Sequence, residues 1–347
     1  MKQMLLTIVI ALMFTAGALS GLADPCWTVT IENHAGTISY DGWTLKFSGE
    51  NGSGGIIINS GNSVEGDGGV LDLSLPMRDE SDKEYYVRSI GQKAFRPADN
   101  PLLDVSKIKE LRLGDKITSI GSYSFYGCTS LTNVVPFIPD SVTSLGKSAF
   151  NSCPISCKLT VKSLEMIPET AFYATAFGEA ELPSVTNFDY RAFYGNGVIS
   201  NVVFSAKRVG FACATAANDY GNSVFFHATD TAKFYFPGRA PYLPQNGIDD
   251  AGQGHTGYIG LFGNHVRNRA IYGSWKMDPD GWNEILSQVG KPKSEIAEQF
   301  PGQDESVRSV MGKLFYWVDK SKKTSNFAWL IDWRSPLEPY GMIMSVR

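Results

Sequence analysis

Apolar, turn-forming and polar residues follow one another in the same order at five places in the middle of the chain. Each copy contains an apolar residue, then a turn former such as glycine, and closes on Ala-Phe or Ser-Phe. We call this phrase the refrain, and its copies end at Phe95, Phe125, Phe150, Phe172 and Phe193. Successive copies are 30, 25, 22 and 21 residues apart. Spacings of this size are typical of stacked repeats built from short strands, whereas helical-pair repeats are longer.

Two extended pieces separate one refrain from the next. The first is a four-residue strand, found at 110–113, 133–136, 158–161, 180–183 and 201–204. The second leads into the next refrain, as at 141–146. One such unit has too little apolar surface to fold alone, but stacked units align their apolar residues into a continuous core. The pattern therefore predicts a mainly β fold.

A glycine follows the apolar residue in the first three refrains, at Gly91, Gly121 and Gly146. Glycine adopts backbone angles that other residues avoid, so we expect it to permit the corner at which the chain reverses. Pro168 and Asp189 take this position in the next two copies. The corner is therefore not built identically throughout.

These units resemble the BspA-like leucine-rich-repeat family. The best match is 129–153, where leucine, valine and proline precede the refrain and a cysteine closes the unit in the family's order. The resemblance covers residues 86–240. It implies a right-handed leucine-rich-repeat solenoid with a parallel sheet on its inner face, exported and used for adhesion or recognition. No catalytic residues come with it.

The chain is predicted to divide into four segments: a signal peptide at 1–23, an N-terminal β cap at 24–85, the repeat solenoid at 86–245, and a small C-terminal α+β cap or appended domain at 246–347. Caps are expected because an open repeat stack exposes apolar surface and unpaired strand edges. The repeat pattern weakens after Phe193. We expect a degenerate turn at 207–211 and a terminal strand followed by a stop at 233–241.

Alternating apolar residues in the first flank predict strands at 27–31, 37–40, 43–47 and 70–73. Residues 48–69 are rich in Gly, Asn and Ser and are predicted to form a mobile hairpin or loop. In the second flank, acidic N-caps predict helices at 280–286 and 304–311, and 327–333 is a buried strand candidate. Tryptophans at 275, 282, 317, 329 and 333 either pack in a core or form a platform for sugar stacking.

The start of the chain predicts export. Lys2 precedes an apolar run at 4–14, and small residues at positions 21 and 23 favour cleavage after Ala23. The run is shorter than the ~20 residues of a spanning helix, so we expect a secreted or cell-surface protein without an integral membrane segment after cleavage. The formal net charge of −4 gives no reason to expect nucleic acid as a partner. A surface protein or a polysaccharide is the expected partner.

The five cysteines are an odd number, so at least one is unpaired within the chain. Cys128 and Cys153 each stand three residues after a refrain phenylalanine, and this shared position predicts a buried structural role. A disulfide from Cys157 to Cys153 or to Cys213 stays open. Zinc is not expected, because no second Cys or His pair has zinc-ligand spacing.

Motifs for catalysis are missing from the sequence. The histidines at 34, 227, 255 and 265 are dispersed, and none belongs to a His-Glu-x-x-His motif or lies near a nucleophile elbow. They are predicted to be turn or surface residues. We therefore predict no catalytic, cofactor-binding or metal-binding residues and do not expect an enzyme.

Three refrains are followed directly by a tyrosine, at Tyr126, Tyr173 and Tyr194. Tyr173 and Tyr194 belong to consecutive units, so we expect their rings to stack about 5 Å apart. Such tyrosines either bind a glycan or peptide or merely cover the phenylalanine layer. The leading hypothesis is an exported, non-enzymatic recognition or adhesion scaffold for a protein or polysaccharide. The alternative is a carbohydrate-binding or carbohydrate-processing accessory protein that acts through the Trp-rich residues 246–347.

Overall fold

The computed structural model describes residues 24–59, 64–66, 69–100, 108–211, 224–225, 227–229, 232–241, 269–274, 277–278, 280–281, 313–318 and 326–332. Strands and turns make up almost all of them, beside a 3-10 turn at Pro97–Asp99 and a helical pair at 280–281. The prediction of a mainly β fold is confirmed. Within these ranges, no helix has the length and apolar character needed to cross a membrane.

Six of the eight N-terminal strands close into a ring. The eight strands are β1 (Trp27–Glu32), β2 (Ala35–Tyr40), β3 (Trp43–Ser48), β4 (Gly55–Ile58), β5 (Val64–Glu65), β6 (Gly69–Asp72), β7 (Met77–Arg78) and β8 (Glu84–Ile90). Hydrogen-bonded neighbours run β8, β4, β3, β2, β1, β7, and an antiparallel pairing of β7 with β8 joins the two ends. Because apolar residues alternate along β1 and β3, Trp27, Trp43 and Phe47 are buried. The four strands predicted in this flank are confirmed.

Of the mobile hairpin or loop expected over 48–69, the hairpin is present: β4 pairs antiparallel with β3, and it also pairs in parallel with β8. Ile56 and Ile58 are fully buried. Side chains fasten the turn that leads into β4: Asn51 Oδ1 accepts from the Gly55 N–H at 2.9 Å. Gly, Asn and Ser are typical of turns, and here the Asn51 side chain also accepts a hydrogen bond from the backbone of the turn to which it belongs.

Glu50 connects the same turn to the residue just before β8, and it makes the stability of the N-terminal ring depend on pH. Its carboxylate accepts the Gly54 N–H at 2.9 Å and lies 3.3 Å from the Lys83 ammonium. These groups, the Gly54 hydrogen bond first, lower the pKa of Glu50 from 4.5 to about 2 against the opposing effect of burial. Since the folded-state pKa of Glu50 lies below the unfolded one, the contribution of its carboxylate to the stability of the fold is present above about pH 4.5 and is lost as the pH falls towards 2.

We therefore expect Glu50→Gln to lower the thermal unfolding midpoint at neutral pH. The difference from the parent protein should shrink as the pH falls from about 4.5 to about 2, because the parent carboxylate then becomes neutral as well. Thermal unfolding followed by circular dichroism across this range measures it, with exposed Glu80→Gln as the control. A difference that stays constant with pH contradicts the expectation.

The repeats contribute two sets of parallel strands. In chain order these strands are β9 (Ile108–Arg112), β10 (Ser119–Ile120), β11 (Asn133–Val135), β12 (Ser144–Leu145), β13 (Leu159–Thr160), β14 (Met166–Ile167), β15 (Glu179–Glu181), β16 (Asn187–Phe188), β17 (Asn201–Val203), β18 (Gly210–Phe211) and β19 (Lys233–Phe236). Odd-numbered strands pair with one another, and so do even-numbered ones. Equivalent refrain residues face each other, as Ile90, Ile120 and Leu145 do in β8, β10 and β12.

The refrain turns form a third hydrogen-bonded set. The N–H of each refrain phenylalanine donates to a carbonyl of the next refrain, for example from Phe125 to Ala149 at 2.8 Å and from Phe172 to Ala192 at 2.9 Å. The Phe193 N–H donates to Val224 at 3.0 Å, so Val224 and Phe225 end a sixth copy, in which valine replaces the alanine. We number the repeats 1 to 6 by their closing phenylalanines, Phe95, Phe125, Phe150, Phe172, Phe193 and Phe225.

The phenylalanine rings form a continuous buried column. Centroid distances between successive rings, in chain order, are 4.9, 5.1, 6.1, 5.2 and 5.0 Å. Each ring therefore contacts the ring of the repeat before and after it. This contact continues the core of one repeat into the next, as expected for units that cannot fold alone.

The two strand sets are interrupted between repeats 3 and 4. In the described residues, β11 does not pair with β13, and β12 does not pair with β14. Phe137 is buried at this junction and packs 5.3 Å from Phe150, 5.6 Å from Phe172 and 4.9 Å from Phe177 between centroids. The refrain hydrogen bonds continue across it, since the Phe150 N–H donates to Ala171 at 2.9 Å. The refrains, rather than the strands, hold these two repeats together.

The refrain glycines do not form the corner, which corrects the expectation for Gly91, Gly121 and Gly146. The residues with positive φ stand two positions later, as Tyr123 does with φ 59°. A Cβ at Gly121 would instead lie 2.6 Å from the backbone nitrogen of Gln92 in the preceding repeat. Glycine is required because the backbones of two repeats approach closely there, and not because of its own backbone angles.

The chain continues its ladders beyond the point where the sequence pattern weakens. Residues 207–211 are not merely a degenerate turn, because β18 pairs with β16 through Phe211 and Phe188. Nor is β19 a terminal strand: it pairs in parallel with β20 (Arg269–Ser274), which also pairs with β22 (Asn326–Asp332). Strand β21 (Lys313–Val318) pairs antiparallel with β22. The strand predicted at 327–333 is confirmed by β22.

Several predictions fall outside the described residues: the leader at 1–23, Cys213, the helix at 304–311 and the helix at 280–286 beyond its first two residues. The side chains of the five C-terminal tryptophans also lie outside them.

Ser124 breaks the refrain in repeat 2, where the other copies have alanine or valine. It is fully buried, and its Oγ has no hydrogen-bond partner among the described residues. A buried hydroxyl without a partner costs about 1–3 kcal/mol. We therefore expect Ser124→Ala to raise the free energy of unfolding by about 1 kcal/mol, measured by urea denaturation. A loss of stability would show that the hydroxyl is satisfied.

Candidate functional site

The refrain turns present two columns of side chains, which together we call the turn surface. The corner column holds the residues two positions before each phenylalanine, Lys93, Tyr123, Ser148, Thr170 and Arg191, all with positive φ. The outer column holds the residues just after each phenylalanine, Arg96, Tyr126, Asn151, Tyr173 and Tyr194. Both columns vary in sequence while the phenylalanines beneath them stay constant. Variation over a constant core is the arrangement that allows recognition to change without loss of the fold.

Tyr173 and Tyr194 stack as predicted. Their ring centroids lie 5.1 Å apart and their planes are 7° from parallel. Tyr126 stands two repeats away from Tyr173, with Asn151 between them. The structure therefore brings two of the three predicted residues into contact and separates the third.

A second aromatic cluster surrounds Tyr126 and was missed by the sequence analysis. The Tyr123 and Tyr126 centroids are 5.8 Å apart, and the Arg96 guanidinium carbon lies 5.9 Å from the first and 5.4 Å from the second. These are cation–π distances. No sequence signal marked Tyr123, because the positive φ at its position is seen only in the structure.

Tyr194 has two further neighbours. The Arg191 guanidinium carbon lies 5.4 Å from its centroid, and the His227 ring meets it edge-on at 5.0 Å. Arg191 and His227 were not predicted as site residues; His227 is exposed, as expected of a surface histidine. Tyr194 is therefore surrounded by a stacked tyrosine, a guanidinium and an imidazole.

An ion pair borders the turn surface between repeats 3 and 4. Lys147 Nζ lies 2.7 Å from Glu169 Oε2, and this hydrogen bond is the main reason that the pKa of Lys147 is raised. Both side chains are partly exposed, so the pair contributes little to stability. Among the described residues, no group of three or more His, Cys, Asp or Glu side chains is arranged to hold a metal ion.

The cysteines beneath the turns pack rather than pair. Cys128 and Cys153 are fully buried, and their thiols donate to the carbonyls of Phe95 and Phe125 in the preceding repeats, at 3.5 and 2.9 Å. The buried structural role predicted for them is confirmed. Burial raises the pKa of Cys153. The described cysteines are all free thiols, so the Cys153–Cys157 disulfide left open by the sequence is not formed.

The repeats that carry this surface match a known family. The family model for the BspA type Leucine rich repeat region matches residues 88–213 in six copies. The repeats at 88–213 are therefore leucine-rich repeats of the BspA type. The resemblance found in the refrain is confirmed, and the BspA-type match contains both columns of the turn surface.

Comparison with other proteins adds one solved structure. A leucine rich cell surface protein from Faecalibacterium prausnitzii A2-165 is 18% identical, with a TM-score of 0.29, and the match covers 50% of this chain and 54% of that chain. The chain thus spans about half the length of this neighbour. No curated protein matches the sequence of this chain.

Proposed function

We propose that the protein is an exported recognition or adhesion scaffold that binds a protein or polysaccharide through the turn surface of a right-handed leucine-rich-repeat solenoid. The observation that carries the proposal is the pair of tyrosine clusters on this surface. Tyrosine offers a large, stiff contact area with a polar tip, which suits it to binding sites. The refrain residues beneath are occupied in packing, so the variable columns are the part available for recognition.

Export and domain organisation belong to the same proposal. A leader at 1–23 delivers the chain to the cell surface or the medium, the β cap at 24–85 covers the first repeat, the repeats occupy 86–245, and residues 246–347 form the C-terminal cap or appended domain. We infer no enzymatic activity, because the family resemblance brings no catalytic residues. The N-terminal ring supports the capping role, since β8 belongs both to the ring and to the even-numbered repeat strands.

An array of glycans and surface proteins, probed with the purified full-length protein, tests this function. We expect binding above background that is lost when Tyr126, Tyr173 and Tyr194 are all replaced by alanine. Tyr190→Ala, a half-buried tyrosine of repeat 5 outside the outer column, is the matched control. Binding that survives the triple replacement points instead to residues 246–347. Hydrolysis of a polysaccharide by the purified protein overturns the non-enzymatic assignment.

A further inference from the structure

A gap interrupts the outer column at repeat 3. Tyr126 and Tyr173 stand on the repeats to either side, and Asn151 between them is short and only 8% exposed. Backbone hydrogen bonds set the alignment: the Gly127 N–H donates to Asn151 at 2.9 Å, and the Ser152 N–H donates to Tyr173 at 2.8 Å. A slot therefore opens above Asn151, between the two tyrosines.

Each of these tyrosines turns one ring face towards the slot. Arg96, in repeat 1, lies over the Tyr126 ring, so the opposite face is directed towards repeat 3. Tyr194, in repeat 5, stacks on Tyr173 with near-parallel planes, so the opposite face of Tyr173 is also directed towards repeat 3. The slot thus has an aromatic face on each side.

The slot is wide enough for one ring, which takes up about 7–8 Å when stacked between two aromatic faces, and a small rotation of either tyrosine closes the remaining width. Two repeat spacings separate Tyr126 from Tyr173, which is about 10 Å at the usual distance between strands. The core beneath is opened slightly: the Phe150 and Phe172 centroids are 6.1 Å apart, against 5.1 Å for Phe125 and Phe150. Atoms stacked on an aromatic ring lie about 3.5–4 Å from it. A single puckered ring can therefore pack against both tyrosines at once.

The floor and rim of the slot are polar. Asn151 Oδ1 accepts from the Ser152 hydroxyl at 2.8 Å, while Asn151 Nδ2 donates to no group in the described part of the chain. The hydroxyls of Tyr126 and Tyr173 have no hydrogen-bond partner among the described residues either. Two hydroxyls and one amide donor are thus available to a ligand.

We propose that the slot formed by Tyr126, Asn151 and Tyr173 binds one pyranose ring of a neutral glycan, an inference that rests on the proposed function and names its ligand class. The faces of a pyranose carry C–H groups, which pack on the electron-rich faces of aromatic rings. Its edge carries hydroxyls, which match the amide and hydroxyls around the slot. A proline or aromatic side chain fills the same width but leaves the Asn151 donor unpaired, and an unpaired donor is costly.

The charges near the slot favour a neutral sugar over an acidic one. Arg96 lies on the far side of Tyr126 and pairs with Asp99 at 3.4 Å. Lys147, beside repeat 3, pairs with Glu169 at 2.7 Å. Both cations are compensated, and the chain as a whole carries a net charge of −4, which repels an anionic polymer.

Affinity electrophoresis of the full-length protein in gels containing dextran, starch, laminarin, xylan or mannan tests the inference. Polygalacturonate and a polyproline peptide, the latter titrated in solution, represent an acidic glycan and a peptide ligand. Asn151→Tyr completes the tyrosine column and fills the slot without leaving a cavity. Tyr173→Ala and Tyr126→Ala each remove one wall, and Tyr190→Ala is the matched control. Thermal unfolding checks that every variant is folded.

We expect at least one neutral glycan to retard the parent protein. The folded slot variants should weaken its binding at least tenfold, while Tyr190→Ala leaves it unchanged. Glycan binding that persists in the folded slot variants overturns the slot but leaves the scaffold function standing. Slot-dependent binding of polygalacturonate or polyproline alone overturns the ligand class. No glycan binding, with binding to a surface protein retained, overturns the inference alone, and no binding to any ligand overturns the proposed function as well.

Discussion

Phe150→Ala is expected to lower the free energy of unfolding by about 3–5 kcal/mol, the usual cost of removing a fully buried phenylalanine. The ring lies at the centre of the phenylalanine column, between Phe125 and Phe172, and also packs against Phe137. It stands at the junction where neither strand set continues. Its loss therefore removes a buried side-chain contact between repeats 3 and 4, where the described strands do not pair.

Urea denaturation followed by far-UV circular dichroism measures the effect of Phe150→Ala. Phe150→Leu, which keeps most of the side-chain volume, is the control and should lose only about 1–2 kcal/mol. A broadened or two-step transition in the alanine variant would show the two halves of the chain unfolding separately. A loss below 1 kcal/mol would show that the junction is held by something other than the phenylalanine column.

Gly146→Ala should produce the second largest effect, a loss of about 3 kcal/mol. A Cβ at this position would lie 2.5 Å from the carbonyl carbon of Gly121 and 2.5 Å from the Cα of Ser122, both in the backbone of the preceding repeat. Backbone atoms cannot turn aside as a flexible side chain can. The two repeats must therefore move apart, which strains the refrain hydrogen bonds between them.

Gly210, which pairs with Asn187 at the start of the refrain in a later repeat, serves as the control for Gly146→Ala. The nearest atom to a Cβ at Gly210 is Asn187 Oδ1 at 3.6 Å, an ordinary contact. Gly210→Ala should leave the free energy of unfolding unchanged or raise it by up to about 1 kcal/mol, since alanine restricts the unfolded chain. Urea denaturation of both variants gives the comparison. Equal losses at the two positions would mean that the glycines act through their own backbone angles after all.

Local repetition made the core predictable. A phenylalanine recurring with an alanine before it and a small residue three positions after it specifies a buried column, because equivalent positions of stacked units must meet. The same reasoning predicts from the sequence alone that Tyr173 lies beside Tyr194. It also identified Cys128 and Cys153 as packing residues.

Features that depend on contacts between repeats were less predictable. The reason for glycine at Gly121 lies in the backbone of the repeat before it, which the local sequence does not reveal. Strand β4 was not predicted because the glycine-rich residues around it resemble a loop, and its pairing with β3 and β8 identifies it in the structure. The slot above Asn151 is likewise invisible in sequence, since its walls come from repeats on either side.

The repeats differ in length, from 21 to 32 residues between refrains, yet hydrogen bonds between successive refrains keep the turns aligned. Extra residues are accommodated elsewhere in each unit, so the turn surface follows the spacing of the phenylalanine column beneath it, where successive ring centroids lie 4.9 to 6.1 Å apart. The turn surface therefore presents one variable side-chain position per repeat at regular spacing. Duplication or exchange of a whole repeat would change which side chain occupies a given position, and so which ligand fits, without moving the neighbouring positions.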